Sequence, residues 1–382
     1  MKILVAQTVF LGDLVLTIPL LQHLRHACPD AQIDVLVAKG MERLLASHPA
    51  VSSVLTYDKS GKEGGWLGVW RLVQELRKRQ YSLAFVLPGS IRTALAIYLA
   101  HISRRIGTDQ SSGILLFAER VKFPQELKSS PHARPVLLAE RIWRASGGRG
   151  SFVSPLFTDV VSLNPEFENI RRHLQLLSPL GIQIEETLLQ PKLFPSSADQ
   201  KRVDEFLSNE ASGNLIAVAL GSVWATKRWP LDHFRSLVDE LIGGGCRVVV
   251  IGGREDAELS ERLAQHFPSD RVVNACGRFT PLQSSEMLRR CRVLVTNDSA
   301  PMHLAAAVGT PCVAIFGPTV PEFGFAPFGP QHIVIERKAL WCRPCTPHGG
   351  ARCPIGTHEC MTGISANEVC QAVFRILERP VS

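Results

Sequence analysis

The sequence shows no long uninterrupted apolar run, no pattern of a secretory leader and no polybasic arm, and each absence argues against a class of function. The longest uncharged stretch, Ser299 to Pro321, is broken by Pro301, Gly309, Pro311, Gly317 and Pro318. It therefore reads as helix, turn, strand and loop, and no membrane span is expected. Near the N-terminus an apolar run from Ile3 to Leu11 follows Lys2, but Asp13 comes at once and no small-residue cleavage site follows. A secretory signal is not expected, and a cytoplasmic location is. Basic residues fall in short groups such as Arg77, Lys78 and Arg79, without interleaved aromatics, so nucleic acid is not expected as a partner. No Gly-x-Gly-x-x-Gly follows the first strand, which argues against a dinucleotide dehydrogenase. No Gly-x-x-x-x-Gly-Lys-Ser/Thr is present, which argues against a P-loop nucleotidase, and there is no Gly-x-Ser-x-Gly elbow.

What is present is ordinary in amount. A length of 382 residues suggests two domains, and 45% apolar with 20% charged residues belongs to a folded globular protein. The net charge is +7, from 42 Lys and Arg against 35 Asp and Glu. That bias suits a phosphorylated ligand or an anionic membrane surface, and equally a basic protein with no special partner. Ten cysteines spread over a chain of this size, in the expected compartment, read as reduced thiols.

Short β-rich runs alternate with amphipathic segments. Lys2 to Gln7, Ile33 to Ala38, Val51 to Tyr57 and Leu83 to Leu87 read as strands. Trp66 to Gln80 reads as a surface helix with Leu67, Trp70, Val73 and Leu76 on its apolar side. After about Gly150 the pattern blurs, and the Pro- and Ser-containing stretch from Gln190 to Ala198 reads as an interdomain connection. The boundary is placed there, giving domains 1–189 and 190–382. A second series follows, with strands at Leu215 to Leu220, Cys246 to Ile251, Val272 to Asn274, Val293 to Thr296 and Cys312 to Phe316, and a last helix from Ser365 to Glu378. Strand and helix in alternation imply α/β domains, each a parallel sheet covered on both faces.

Three segments join a strand end, a short polar loop and a helix start, which is where open parallel sheets bind ligands. In the first, Gly12 is expected to let the chain turn tightly after the strand, and Asp13 reads either as a helix N-cap or as a general base for an incoming hydroxyl. The second runs from Ala219 to Pro230. Gly221, Ser222 and Thr226 beside Lys227 and Arg228 read either as a diphosphate loop or as solvated surface. In the third, Asn297, Asp298 and Ser299 lead into a small-residue helix through Ala300 and His303 to Gly309. Helix-start amides suit a phosphate, while Asp298 as a cap and His303 as a core histidine are the plainer readings.

Taken in this order and spacing, the segments resemble glycosyltransferase family 9, the ADP-heptose:lipopolysaccharide heptosyltransferases. The resemblance rests on Gly12 and Asp13 followed by Leu14 to Pro19, on Asp298 to His303, on Gly309, Thr310 and Pro311, and on Phe316 to Thr319. Smaller echoes are Pro88, Gly89 and Ser90 with Arg92, Arg105 to Gly107, Lys227 to Pro230, and Gly252 and Gly253 with Asp256. The resemblance implies a GT-B fold, two Rossmann-like domains facing across a cleft, with the acceptor on the first and the nucleotide sugar on the second. It also implies inverting transfer from an ADP-heptose donor, without a cofactor or metal, to the lipid-linked core of lipopolysaccharide, with peripheral contact at the inner face of the cytoplasmic membrane. Asp13 would then be the base and Lys227 the stabiliser of the departing diphosphate. Ser222, Thr226, Asp256, Asp298, Ser299, Ala300 and His303 would hold the donor, and Gly12 and Arg92 the acceptor. The segment from Trp341 through Cys342, Cys345, Cys353 and Cys360 resembles the heptosyltransferase II branch, which adds the second heptose. Its cysteine spacing suits either packed thiols or a structural zinc. Two other readings stand beside this one: a transferase or epimerase for another nucleotide sugar, and a sugar-nucleotide binding protein without turnover.

Overall fold

The computed structural model describes residues 1–59, 61, 65–108, 154–207 and 214–379. The chain divides into two compact units, Met1–Leu189 and Gln190–Ser382.

The first unit contains β1 (Lys2–Gln7), β2 (Gln32–Ala38), β3 (Ser53–Tyr57), β4 (Leu83–Val86), β5 (Arg104–Thr108) and β6 (Asp159–Val161). Among them lie α1 (Leu11–Ala27), α2 (Glu42–Leu45), α3 (Trp66–Arg79), α4 (Ile91–Leu99) and α5 (Asn169–Gln175). The strands pair in the order β3-β2-β1-β4-β5-β6, every pair parallel. Ile3 of β1 lies between Ile33 and Leu83, and Ile3, Leu4 and Val5 are fully buried, as a strand covered on both faces requires. Helix α1 is apolar on every side from Leu14 to Leu21, and residues 169–189 cover it. There the buried His23 ring is pinned by the Pro19 carbonyl at 2.7 Å and the Glu185 amide at 2.9 Å, while Gln22 Nε2 donates to the Leu188 carbonyl.

Helix α3 departs from the sequence expectation. Val69, Leu72, Val73 and Leu76 are buried, whereas Leu67 and Trp70 are exposed. The Arg77 guanidinium lies 5.8 Å from the Trp70 ring centroid, so the indole covers a cation at the surface instead of filling the core.

The second unit contains β7 (Leu215–Ala219), β8 (Arg247–Ile251), β9 (Val272–Asn274), β10 (Val293–Asn297), β11 (Cys312–Phe316) and β12 (Ile333–Glu336). Its helices are α6 (Ser197–Leu207), α7 (Leu231–Gly243), α8 (Ala257–Ala264), α9 (Pro281–Arg290), α10 (Ala300–Ala307), α11 (Glu359–Thr362) and α12 (Ala366–Leu377). The sheet order is β12-β11-β10-β7-β8-β9, again with every pair parallel. Counted from the first strand of each unit, the two sheets share one winding, the doubly wound Rossmann order. The strand order reverses between β1 and β4 in one unit and between β7 and β10 in the other. Loops at the carboxyl ends of those strands diverge and leave a crevice, the ligand position in such sheets. Helix α12 buries Val369, Val373 and Ile376 and packs on α7, which closes the core of the second unit. Among the described residues, no helix is long and apolar enough to cross a membrane.

Candidate active site

In the first unit the chain leaves β1 through Thr8, Val9 and Phe10 and enters α1 at Leu11. Gly12 is therefore a buried helical residue and does not make the turn, because α1 starts one residue before it. Asp13 is not the N-cap either. That position is Phe10, and Asp13 lies inside the first turn, half-buried, where the positive end of the helix favours a carboxylate. Across the switch point, Ser90 caps α4 by accepting from the Thr93 amide, and Arg92 follows in the first turn. Arg92 reaches the Lys59 carbonyl at 3.4 Å. The Lys59 ammonium is pushed down to about 8, first by burial and then by repulsion from Arg92. Two cations gathered at the carboxyl edge of a sheet make a place for an anion.

In the second unit the switch point joins the loop after β7 to the loop after β10. Asn297, fully buried at the end of β10, ties them together: its Nδ2 donates to the Leu220 carbonyl at 2.8 Å and its Oδ1 accepts from the Trp229 amide at 3.0 Å. The Trp229 indole then donates to the Ile364 carbonyl and stacks edge-on against Phe234. So anchored, the loop makes a single helical turn at Ala225–Lys227. Lys227 Nζ reaches Asp298 Oδ2 at 2.6 Å, with the two side chains only 12% and 7% exposed. Thr319 Oγ1 donates to the same carboxylate oxygen at 2.7 Å. Such a pair is costly to desolvate, and removing either partner strands a buried charge.

Asp298 is not the cap of α10. Ser299 holds that position, and its hydroxyl makes no capping bond; it lies 3.3 Å from both Thr296 Oγ1 and the Asn297 carbonyl. The first-turn amides of α10, at Ala300 and beyond, thus carry no side-chain cap on the side where Lys227 brings its charge. His303, one turn further, is buried, and its Nδ1 has no hydrogen-bond partner, unlike a satisfied core histidine. Burial pushes its pKa down to about 4, Asp298 opposes that, and Lys227 and His332 add to it, so the ring is neutral at pH 7.

Asp256 borders the same loop from β8. A Cβ at Gly221 would come within 2.1 Å of its Oδ1, so glycine is what allows the loop after β7 to pass this carboxylate. Burial raises the Asp256 pKa; the Gly253 amide at 3.1 Å and Arg228 pull it back, while Glu255 adds to the rise. Ser222 is half-buried beside it, its carbonyl accepting from Arg228 Nε at 2.8 Å. Thr226 is the exception among the expected donor contacts. Its hydroxyl donates to the Gly350 carbonyl at 3.0 Å and accepts from the Gly350 amide at 2.8 Å, so the fold itself uses it.

The sequence-derived residues thus fall into two sets. Gly12, Asp13 and Arg92 stand at the switch point of the first unit. Ser222, Thr226, Lys227, Asp256, Asp298, Ser299, Ala300 and His303 stand at that of the second. Three contributors escaped sequence reasoning. Thr319 stands at the end of the Phe316 to Thr319 motif without a role of its own, Asn297 is a buried amide closing an apolar strand, and Lys59 has no local signal. Among the described residues, no three His, Cys, Asp or Glu side chains stand so as to hold one metal ion, the four clustered cysteines included. Cys360 is pushed up to about 11, by burial first and then by the neighbouring thiols of Cys345, Cys353 and Cys342, with Arg343 opposing.

Chemically, the second site offers a fixed ammonium beside helix-start amides at a sheet's carboxyl edge. A fixed positive charge and free amides of this kind suit a group whose negative charge grows as a bond breaks.

The chain's similarities agree with that description. Residues 136–351, more than half of the chain, match the family model described as Glycosyltransferase family 9 (heptosyltransferase). Lipooligosaccharide heptosyltransferase 2 of Haemophilus influenzae is 27% identical over 327 residues, covering 85% of each chain. Lipopolysaccharide heptosyltransferase 2 of Escherichia coli is 27% identical over 335 residues, covering 85% of this chain and 84% of that one. Among solved structures, a family 9 glycosyl transferase from Veillonella parvula superposes with a TM-score of 0.77 at 22% identity, covering 98% of this chain and 97% of that one. The E. coli ADP-heptose lps heptosyltransferase II superposes with a TM-score of 0.74 at 24% identity, covering 99% of this chain and 98% of that one.

Proposed function

Because the chain belongs to glycosyltransferase family 9, the heptosyltransferases, we propose that it transfers heptose from ADP-heptose to the inner core of lipopolysaccharide, adding the second heptose. The observation that carries this reading is the buried Lys227–Asp298–Thr319 arrangement beside the start of α10, a ready receptor for the diphosphate of the donor. The names of the full-length relatives, heptosyltransferase 2 in both Haemophilus influenzae and Escherichia coli, favour the second addition over the first.

In this mechanism Asp13 takes the proton from the acceptor hydroxyl as that oxygen attacks the anomeric carbon. The bond to the diphosphate breaks on the opposite face with inversion, through a transition state of oxocarbenium character. Lys227 and the α10 amides meet the charge that accumulates on the leaving ADP. Asp298 holds Lys227, the neutral His303 offers its unpartnered ring nitrogen to the donor, and Asp256 and Ser222 border the nucleotide. Arg92, with Lys59 beside it, meets negative groups of the acceptor. The reaction uses no metal, since a fixed ammonium and oriented amides supply the positive charge. A net charge of +7 suits an acceptor carried by an anionic membrane surface and peripheral contact there.

The test is ADP release from ADP-heptose with two acceptors, the Kdo-bearing lipid A core without heptose and the same core carrying one. Release with the monoheptosylated core alone is the expected result. Release with the bare core would make this the first heptosyltransferase, and silence with both would end the heptose reading.

A further inference from the structure

Thr226 directly precedes Lys227, and a distant segment converges on the turn they share. Between β12 and α11 the chain runs through a cysteine-rich stretch that touches the Lys227 turn on three sides. The Thr226 amide and hydroxyl both donate to the Gly350 carbonyl, at 3.1 and 3.0 Å, and the Gly350 amide returns a bond of 2.8 Å to the hydroxyl. His358 Nε2 donates to the Thr226 carbonyl at 2.7 Å. Gly349, at φ +94°, presses against the lysine stem: a Cβ there would lie 3.2 Å from Lys227 Cγ and Cε.

The stretch is itself braced at both ends. Upstream, the buried Arg343 guanidinium donates to the Gly317, Thr319 and Arg337 carbonyls and to Glu336, which ties it to the loop that presents Thr319 to Asp298. Downstream, the Gly356 amide donates to the Cys353 carbonyl at 3.2 Å in a tight turn that leads into His358 at φ +53°. Few non-glycine residues adopt that conformation. Here the turn presents the imidazole to Thr226.

We propose that residues 342–358 form a strap that fixes the Lys227 ammonium for catalysis, and that His358 is a positioning residue acting through the Thr226 carbonyl. The proposal deepens the reading of Lys227 as the group that steadies the leaving diphosphate and rests on it. A lysine stem has four rotatable bonds, so its charge is useful in a transition state only if the backbone and the stem are both held. Asp298 holds the tip, Gly349 confines the stem, and the His358 and Gly350 bonds hold the backbone.

The experiment measures kcat and KM for ADP-heptose in His358→Phe, His358→Gln and Lys227→Ala, with circular dichroism to establish that each is folded. His358→Phe keeps the ring and removes the donor, and is expected to lower kcat at least tenfold while KM stays within about threefold. His358→Gln, whose amide reaches the place of Nε2, restores most of the rate. In the Lys227→Ala background, His358→Phe should have no further effect. A folded His358→Phe with kcat within twofold of the parent overturns the strap. So does a loss that persists unchanged when Lys227 is already alanine. Lys227→Ala with undiminished kcat fails differently, since it overturns the leaving-group reading on which the strap depends.

Discussion

Asp13 and Lys227 are expected to fail in distinguishable ways, because one acts on the acceptor and the other on the leaving group. Asp13→Ala should abolish transfer and leave ADP-heptose affinity nearly unchanged by calorimetry; substantial residual turnover would remove it as the base. Lys227→Ala should lower kcat by about 10²–10³-fold, the cost of losing one preorganised donor to a developing charge. Single-turnover kinetics reads that loss, and an unaltered rate would refute it. Lys59 behaves oppositely. Its pKa is depressed to about 8, so below that pH it is charged in both folded and unfolded chains, and the folded state carries the penalty of burial and of Arg92. As pH rises from 8 towards the ordinary lysine value, only the unfolded chain keeps the proton, and the penalty is relieved. Lys59→Met should therefore raise the denaturation midpoint at pH 7 and gain little at pH 10.5. At this scale the sequence singles out Asp13, Lys227, Asp298 and His303, where chemistry and motif coincide, and the structure brings Lys227 onto Asp298. The sequence is silent where a role is created by burial alone. Nothing local distinguishes Asn297 from a surface amide, and nothing in Thr226 tells that Gly350 consumes its hydroxyl.

Most elements were legible because parallel strands covered on both faces are continuous apolar runs, as in Ile3 to Ala6 or Val248 to Ile251. The ones that were not legible lie at a sheet edge or beside it. β6 has three residues and β12 ends on Glu336; edge strands need no long apolar run, so their pattern is weak, and β5, next to the edge, opens on Arg104 and Arg105. Helix α3 shows a different ambiguity. Leu67, Trp70, Val73 and Leu76 fit helical spacing as well as Val69, Leu72, Val73 and Leu76, and only the sheet decides which face turns inward. The loop leaving β11 yields an element-scale prediction. A Cβ at Gly317 would lie 2.2 Å from Met361 Sδ, and Met361 is fully buried in the core under α12. Gly317→Ala should destabilise the protein by about 1–3 kcal/mol, as overpacking does. In a Met361→Ala background, where the sulfur is gone, the same change should cost much less. Additive losses in urea unfolding would show that the clash is not the cause.

The two units repeat one winding but differ in their buried histidines, and that difference predicts how the whole molecule meets acid. His173 in the first unit and His303 and His332 in the second are each held at about 4 by burial, against 6.5 unperturbed. Above pH 6.5 all three are neutral whether the chain is folded or not. Between 6.5 and 4 the unfolded chain binds a proton at each while the folded chain does not, so stability falls with pH by up to about 1.4 kcal/mol per pH unit per histidine. Among the described residues one partly buried carboxyl in each unit opposes this: Glu168 in the first and Asp256 in the second have raised pKa values, chiefly from desolvation, and so take up protons more readily when folded. Among the described residues, two histidines so depressed in the second unit stand against one in the first, so the second unit should lose more stability over this window. Hydrogen exchange read by mass spectrometry at pH values from 7 to 4.5, corrected for the intrinsic exchange rate, reports the two units separately. The His332 ring is fixed between the Cys312 amide at 3.2 Å and the Phe328 carbonyl at 3.0 Å. His332→Gln should lower stability at pH 7 yet flatten its dependence on pH in the second unit by about one proton. An unchanged slope in that variant would mean that His332 takes up its proton without unfolding, and that burial does not hold it neutral.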